Sequence, residues 1–217
     1  MVDQADIPQV YHITLLRHGE SQGNFEGRHQ GQADFPLTQR GREQSQALLE
    51  RWKAESKAFD LVISSPLKRA RETAEIIANG LNIPIVFDPL WMERDNGLMA
   101  GLSEDEVRDT LPQPPFVHPY QPIGEIGESQ WELYLRAGKA VQSLFNHPSG
   151  RYLVVSHGGI LNMFFYAILG IAPQPNFHGP RFRLNNSAFA TLQYEPGSHR
   201  WYILGVNNHT HCKFDEE

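Results

Sequence analysis

Two histidines stand far apart in the chain, and each ends a short apolar run and precedes a glycine: LLRHGESQGN at 15–24 and VVSHGGIL at 154–161. Between them lie SSPLKRARETAEII at 64–77 and LWMERDNGLMAG at 90–101. Together these segments offer Arg17, His18, Arg69, Glu93 and His157. Arginine presents a rigid fork that matches phosphate oxygens. A neutral imidazole is a nucleophile toward phosphorus. A second imidazole, held in its charged form, would stabilise charge on the transferring group. A carboxylic acid can protonate a leaving alkoxide and then activate water. A helix starting at Gly158 would add N–H donors to the same anion pocket. This is a phosphoryl-transfer set that needs no metal, because arginines and an imidazolium supply the electrostatics. The rival use of His18, His157 and Glu93, as metal ligands, is disfavoured by the flanking arginines, which repel a cation.

Each residue alone has an ordinary structural reading: a buried histidine, a surface arginine, a glycine turn. Their shared placement is what matters. YHITLL (11–16), DLVISS (60–65), IPIVFDP (83–89) and RYLVVS (151–156) read as buried strands. Each is followed closely by one of the chemistry-bearing segments. Ligands in open α/β sheets bind beyond the carboxyl ends of the strands, so the fold would gather these segments at one edge.

The helices alternate with the strands. One is expected from about Thr38, a plausible N-cap, to about Ser56. Another is expected from Pro66 to about Asn79, with Pro66 in its first turn. An amphipathic helix covers QWELYLRAGKAVQSLFNH, and a buried one covers GGILNMFFYAILG. NSAFATLQYE (186–195) and RWYILGV (200–206) read as late strands. The implied architecture is a single α/β domain over residues 1–217, a three-layer α/β/α sandwich with a mostly parallel sheet. Residues 95–129 break the pattern with many Pro and Gly residues and one short helix near 103–111, capped by Ser103 and Glu106. They read as a lid-like insertion.

The bulk numbers narrow the function class. The chain has 217 residues, 40% apolar and 20% charged, which suits a globular core. Its net charge of −6 argues against nucleic acid or an anionic membrane as partner, while local arginines still allow a small anion. A single cysteine, Cys212, rules out an internal disulfide and any Cys/His zinc spacing. The first residues, MVDQADIPQV, lack the features of a signal peptide, and no apolar run is long enough to span a bilayer. A cytoplasmic location is expected. Oligomeric state stays open, with a homodimer admitted.

LLRHGESQGN, DFPLTQRGREQSQAL, SSPLKRARETAEII, LWMERDNGLMAG and VVSHGGIL, in this order and spacing, resemble the histidine phosphatase superfamily, also called phosphoglycerate mutase-like. The likeness covers roughly residues 11–211. It implies that His18 is the phosphorylated nucleophile, that Arg17, Arg69 and His157 hold the phosphoryl group, and that Glu93 is the proton donor. It also implies that Asn24 contacts phosphate and Gln30 contacts substrate, and that no cofactor is required. The family contains phosphatases and cofactor-dependent mutases. The SHGG form, and a 103–128 region with one arginine and many carboxylates, favour a metal-independent phosphoric monoester hydrolase of histidine acid type. Small phosphorylated metabolites of broad range are the expected substrates. Arg94 beside Glu93 leans toward the mutases, and a noncatalytic phosphate-binding relative is the third reading. Phe25, Met92, Phe116, His118 and Tyr120 are candidates for the substrate mouth. His12, His29, His147, His178, His199 and His209 are expected to be structural, and so is His211.

Overall fold

The computed structural model describes residues 10–111 and 114–212. The expectation about the N-terminal residues, and Pro112 and Gln113 of the proline-rich segment, lie outside the described residues. The chain builds β1 (Tyr11–Arg17), α1 (Gln22–Phe25), α2 (Gln39–Ala54), β2 (Leu61–Ser64), α3 (Lys68–Leu81), β3 (Ile85–Phe87), α4 (Glu104–Thr110), α5 (Gln130–Leu144), β4 (Arg151–Ser156), α6 (Gly158–Leu169), β5 (Phe189–Glu195) and β6 (Arg200–Asn208). The sheet order is β3-β2-β4-β1-β5-β6. β1 pairs parallel with β4, β4 with β2, and β2 with β3, while β5 and β6 are antiparallel.

Side chains alternate across a strand, and β1 shows what that does here. Tyr11, Ile13 and Leu15 enter one core with Ala140 and Leu144 of α5 and Leu161, Phe164 and Phe165 of α6. Leu16 enters the other core with Leu48 and Trp52 of α2 and Ala70, Ala74 and Ile77 of α3. The sheet is therefore covered on both faces, which is why its central strands read as continuous apolar runs. Fully burying a side chain such as Phe164 contributes about 1.5–3 kcal/mol.

Local signals set most boundaries. The Thr38 hydroxyl accepts from the Gly41 amide at 3.0 Å and starts α2, as its N-cap position predicts. Ser103 and Glu106 form the expected capping box of α4. Three details differ from the sequence reading. Helix α3 begins at Lys68, two residues past Pro66, because Leu67 is still extended and its amide binds the Ser65 hydroxyl at 3.3 Å. β5 begins at Phe189, since Ser187 has φ 60° and turns the chain. The one-turn α1 was not foreseen; Ser21 and Asn24 cap it reciprocally. The described residues of the 95–129 segment pack around a small core of Met99, Val107, Val117 and Ile123. Among the described residues no helix is long and apolar enough to cross a membrane.

Gly19 and Gly41 explain each other. A Cβ on Gly19 would overlap the Gly41 carbonyl oxygen, and a Cβ on Gly41 would overlap the Glu20 carbonyl oxygen. The loop after β1 thus crosses the start of α2 backbone to backbone. The glycine after His18 serves this crossing. Because both partners are main chain, neither can swing aside. Gly41→Ala is expected to cost about 1–3 kcal/mol, lowering the melting temperature by roughly 2–12 °C for a domain of this size; differential scanning fluorimetry reads it directly.

Candidate active site

The register of the central strands assembles the site. β1 lies parallel to β4 with Arg17 opposite Ser156, so the next residues, His18 and His157, emerge side by side. The His18 amide donates to the Ser156 carbonyl at 3.0 Å, and the two ring centroids are 5.0 Å apart. Both imidazoles are buried. β2 ends beside β4, which brings Ser65 to His157 and aims α3 so that Arg69 also reaches His157.

Donor chemistry fixes the protons. A carbonyl only accepts, so the His18 Nδ1–H donates to the Gly19 carbonyl at 2.6 Å, and Nε2 carries the lone pair. Among the described residues Nε2 has no hydrogen-bond partner. Arginine only donates, so His157 Nδ1 accepts from Arg69 Nε at 3.2 Å and its Nε2–H donates to the Ser65 hydroxyl at 2.8 Å. Burial, then the Arg69 and Arg17 charges, push His18 well below the usual imidazole range. Burial, then Arg69, His18, Arg17 and Arg136, do the same to His157. Both rings are neutral at neutral pH. This corrects the expected cationic His157.

The two phosphate-type arginines are buried without an ion pair to any carboxylate among the described residues. Arg69 spends two further N–H groups on the Ala33 and Gly31 carbonyls, at 2.9 and 2.7 Å. Burial pulls it down to about 10, with Glu93 and Asp34 opposing, so it stays charged. Arg17 donates Nη1–H to the Leu184 carbonyl at 2.8 Å, while its Nε–H is buried with no partner. Burial lowers Arg17 as well, with Glu93 opposing and Arg183 adding. An unpartnered buried donor beside an uncompensated positive charge is chemistry that suits an anion.

Glu93 comes from the loop after β3 and docks on the start of α6. Its Oε2 accepts from the Gly159 amide at 3.0 Å, and its Oε1 from the amides of Ile160 at 3.1 Å and Arg94 at 2.9 Å. A Cβ on Gly159 would overlap Oε1, so glycine there makes room for the carboxyl. The expectation that the α6 N-terminus offers its amides to the phosphoryl group is thereby corrected at two positions. Glu93 occupies the second and third amides, and the first belongs to Gly158. Arg136 of α5 fixes the loop by donating to the carbonyls of Leu90 at 3.0 Å, Met92 at 2.6 Å and Glu93 at 3.1 Å, while pairing with Glu128 at 2.6 Å.

A cavity of about 900 Å³ opens over this centre. Arg17, His18, Asn24, Gln30, Arg69, Glu93 and Gly158 all line it. His157 does not: it is fully buried behind the lining, its nitrogens held by Arg69 and Ser65. Its contacts are with Arg69, the Ser65 hydroxyl and the His18 ring. The Asn24 and Gln30 side-chain oxygens lie 2.9 and 2.6 Å from the Ser21 hydroxyl, and Asn186 Nδ2 donates to Asn24 at 3.0 Å.

None of the five residues proposed for the substrate mouth lines the cavity. Phe25 is 72% exposed on the outside of α1. Phe116, His118 and Tyr120 run in a surface chain of ring contacts to Trp131. The walls are instead Met99, Val107, Ile123, Met163, Tyr166 and Phe182. The sequence reading also passed over Gln130, whose buried Nε2 has no partner among the described residues, and over Arg181 and Arg183, which line the same cavity. No periodicity marks these residues; only the folded loop brings them there. His29 also lines it, bonded to Glu104 at 2.9 Å. His211 bonds Ser187 at 3.2 Å, the structural role expected of it. Among the described residues no three His, Cys, Asp or Glu side chains converge as a metal cluster.

The model of the histidine phosphatase superfamily (branch 1) matches residues 13–209. A protein named "Probable phosphoglycerate mutase GpmB" from Cronobacter sakazakii is 37% identical over 202 residues, covering 86% of this chain and 85% of that one. Among solved structures, Bacillus stearothermophilus YhfR superposes with a TM-score of 0.75 at 28% identity, over 92% of this chain and 98% of that one. A mycobacterial glucosyl-3-phosphoglycerate phosphatase has a TM-score of 0.75 at 24% identity, over 91% and 99%, and shows the same fold.

The neutral histidines have a consequence for stability. Unfolded, each would titrate near 6.5; folded, each titrates well below that. The unfolded chain therefore binds more protons as the pH falls, so stability is full above about pH 6.5 and declines below it, by up to about 1.4 kcal/mol per pH unit for each ring. Melting temperature should drop between about pH 7.5 and pH 5.5, and drop less in a His18→Asn variant. Equal drops in the two proteins would contradict the neutral-pair assignment.

Proposed function

The chain belongs to the histidine phosphatase superfamily, and from that membership we propose that it is a phosphomonoester hydrolase working through a phosphohistidine on His18. The observation that carries this reading is the tautomer of His18: Nδ1–H is tied to the Gly19 carbonyl, so the lone pair sits on Nε2 beside buried, unneutralised Arg17 and Arg69. The phosphoryl group of the substrate binds Arg17 and Arg69. His18 Nε2 attacks phosphorus, the bond from phosphorus to the ester oxygen breaks, and Glu93 gives its proton to the leaving alkoxide. Water then attacks the phosphohistidine, Glu93 takes the water proton, and phosphate leaves with His18 neutral again. His157 acts at one remove, as the residue that orients Arg69 and lies against the His18 ring.

Hydrolysis is favoured over transfer by the charge of the wall contributed by residues 97–129. It brings Glu104 to the cavity, whereas its one arginine, Arg108, points outside and bonds Asp105 at 2.8 Å. The substrates are small phosphorylated metabolites of broad range, handled without a metal, in a cytoplasmic setting that suits a lone buried thiol. The second reading, a bisphosphate-dependent phosphoglycerate mutase, is favoured by the name carried by the 37%-identical relative and by Arg94 in the cavity wall.

A phosphate-release panel run with chelator and without bisphosphate separates the two. The hydrolase turns over several phosphomonoesters there, and His18→Ala abolishes the release. Isomerisation of phosphoglycerate alone, dependent on bisphosphoglycerate, would establish the mutase. Gly159→Ala tests the acid. The added methyl meets the movable end of Glu93, so the fold should survive while the carboxyl shifts. kcat is expected to fall by at least about tenfold, toward the roughly 10²–10⁴-fold that general acid–base catalysis contributes, with the melting temperature held.

A further inference from the structure

The segment between α6 and β5 carries two arginines that the phosphate centre does not use. Its residues alternate: Phe182 stacks on Phe165, with centroids 4.6 Å apart, and Leu184 is buried. Arg181 and Arg183 fall between them and are exposed, yet both line the cavity. Neither makes a hydrogen bond or ion pair among the described residues.

The backbone that presents them is pinned at four points. Tyr166 donates its hydroxyl to the Pro180 carbonyl at 2.9 Å, and a Cβ on Gly179 would overlap that hydroxyl. The Phe182 amide donates to Asn162 at 2.8 Å, the Leu184 carbonyl accepts from Arg17, and the Asn185 amide donates to Asn207 at 2.7 Å. Two free guanidinium groups on a fixed strip of chain make a preorganised receptor, since little backbone entropy remains to be lost on binding.

Charge balance points the same way. In a protein of net charge −6, the cavity is lined by five arginines and two glutamates. A phosphate dianion answers two of these positive charges and leaves at least one unmet, and two while Glu93 carries the proton it gives to the leaving group. Arg183 lines the same cavity as Arg17 and lowers it electrostatically, so the two charges face one space.

We infer that Arg181 and Arg183 form a second anion subsite at the mouth of the cavity, and that the preferred substrate is a phosphomonoester bearing a further anionic group, a carboxylate or a second phosphate. The inference rests on the phosphate reading of the His18 centre. It is tested by calorimetric binding to protein carrying His18→Ala, which removes the nucleophile, with and without the pair Arg181→Gln and Arg183→Gln. The ligands are glycerol 3-phosphate, 3-phosphoglycerate, which puts a carboxylate in place of a hydroxymethyl group, and glycerol 1,3-bisphosphate, which adds a second phosphate.

One or both of the doubly anionic ligands should bind at least about tenfold tighter than glycerol 3-phosphate, the scale of one charge-assisted contact. The tighter of the two identifies the group. The double substitution should cut that preference at least about fivefold. A preference that is absent, or cut by less than fivefold, overturns the subsite. Phosphate release by the unmodified enzyme is measured in parallel: its absence would overturn hydrolysis while leaving the binding result to stand or fall alone.

Discussion

Burial of two guanidinium groups that no carboxylate neutralises is the constraint to which the rest of the site answers. Arg17 and Arg69 are held inside by carbonyl acceptors, at Leu184, Ala33 and Gly31, which satisfy N–H groups but cancel no charge. An uncompensated buried charge is costly, and the packed sheet beneath them carries that cost. The imidazoles' own burial is the larger cause that holds both neighbouring rings unprotonated, and these charges add to it. A neutral His18 with a free Nε2 is the nucleophilic form, so the positive field that attracts an oxyanion also keeps the attacking nitrogen unprotonated. Binding a dianion relieves the field, which ties occupancy of the site to its readiness.

Glu93 shows a second economy of construction. The α6 N-terminus would serve as an anion site for any ligand, yet two of its amides are given to a carboxylate of the same chain. That places a proton-handling group within one helical turn of His157 and across the cavity lining from His18. Arg136 holds the same loop from behind through three carbonyls. The acid is therefore set by two elements remote in sequence, α5 and α6, and by a glycine whose missing side chain makes its room.

Most of the architecture was legible because the central strands are apolar on both faces and the caps are local. His18, Arg69, Glu93 and His157 could be gathered on paper because each follows a strand whose end must lie at one sheet edge. What escaped depends on contacts between distant segments. At Gly19 nothing local distinguishes clearance for a ligand from the clearance that the Gly41 carbonyl requires. His157 was given a cationic role at the phosphate, but burial among arginines leaves it neutral and behind the lining. Arg136 looks like a solvated charge on an amphipathic helix until the helix is docked on the acid loop. The aromatics Phe116 and Tyr120 suggested a substrate mouth by residue type, yet they pack along the surface, and the arginines at 181 and 183 reach the cavity from an irregular segment.

In the proposed mechanism the lone pair on His18 Nε2 does the chemistry. Rapid quench into alkali during turnover of a phosphomonoester, followed by peptide mapping, tests it most directly. The account predicts acid-labile phosphate on the peptide that contains His18, bonded to Nε2 and formed within the first turnover. Phosphate attached to any other residue, or hydrolysis with no phosphorylated His18 at any time point, would contradict it.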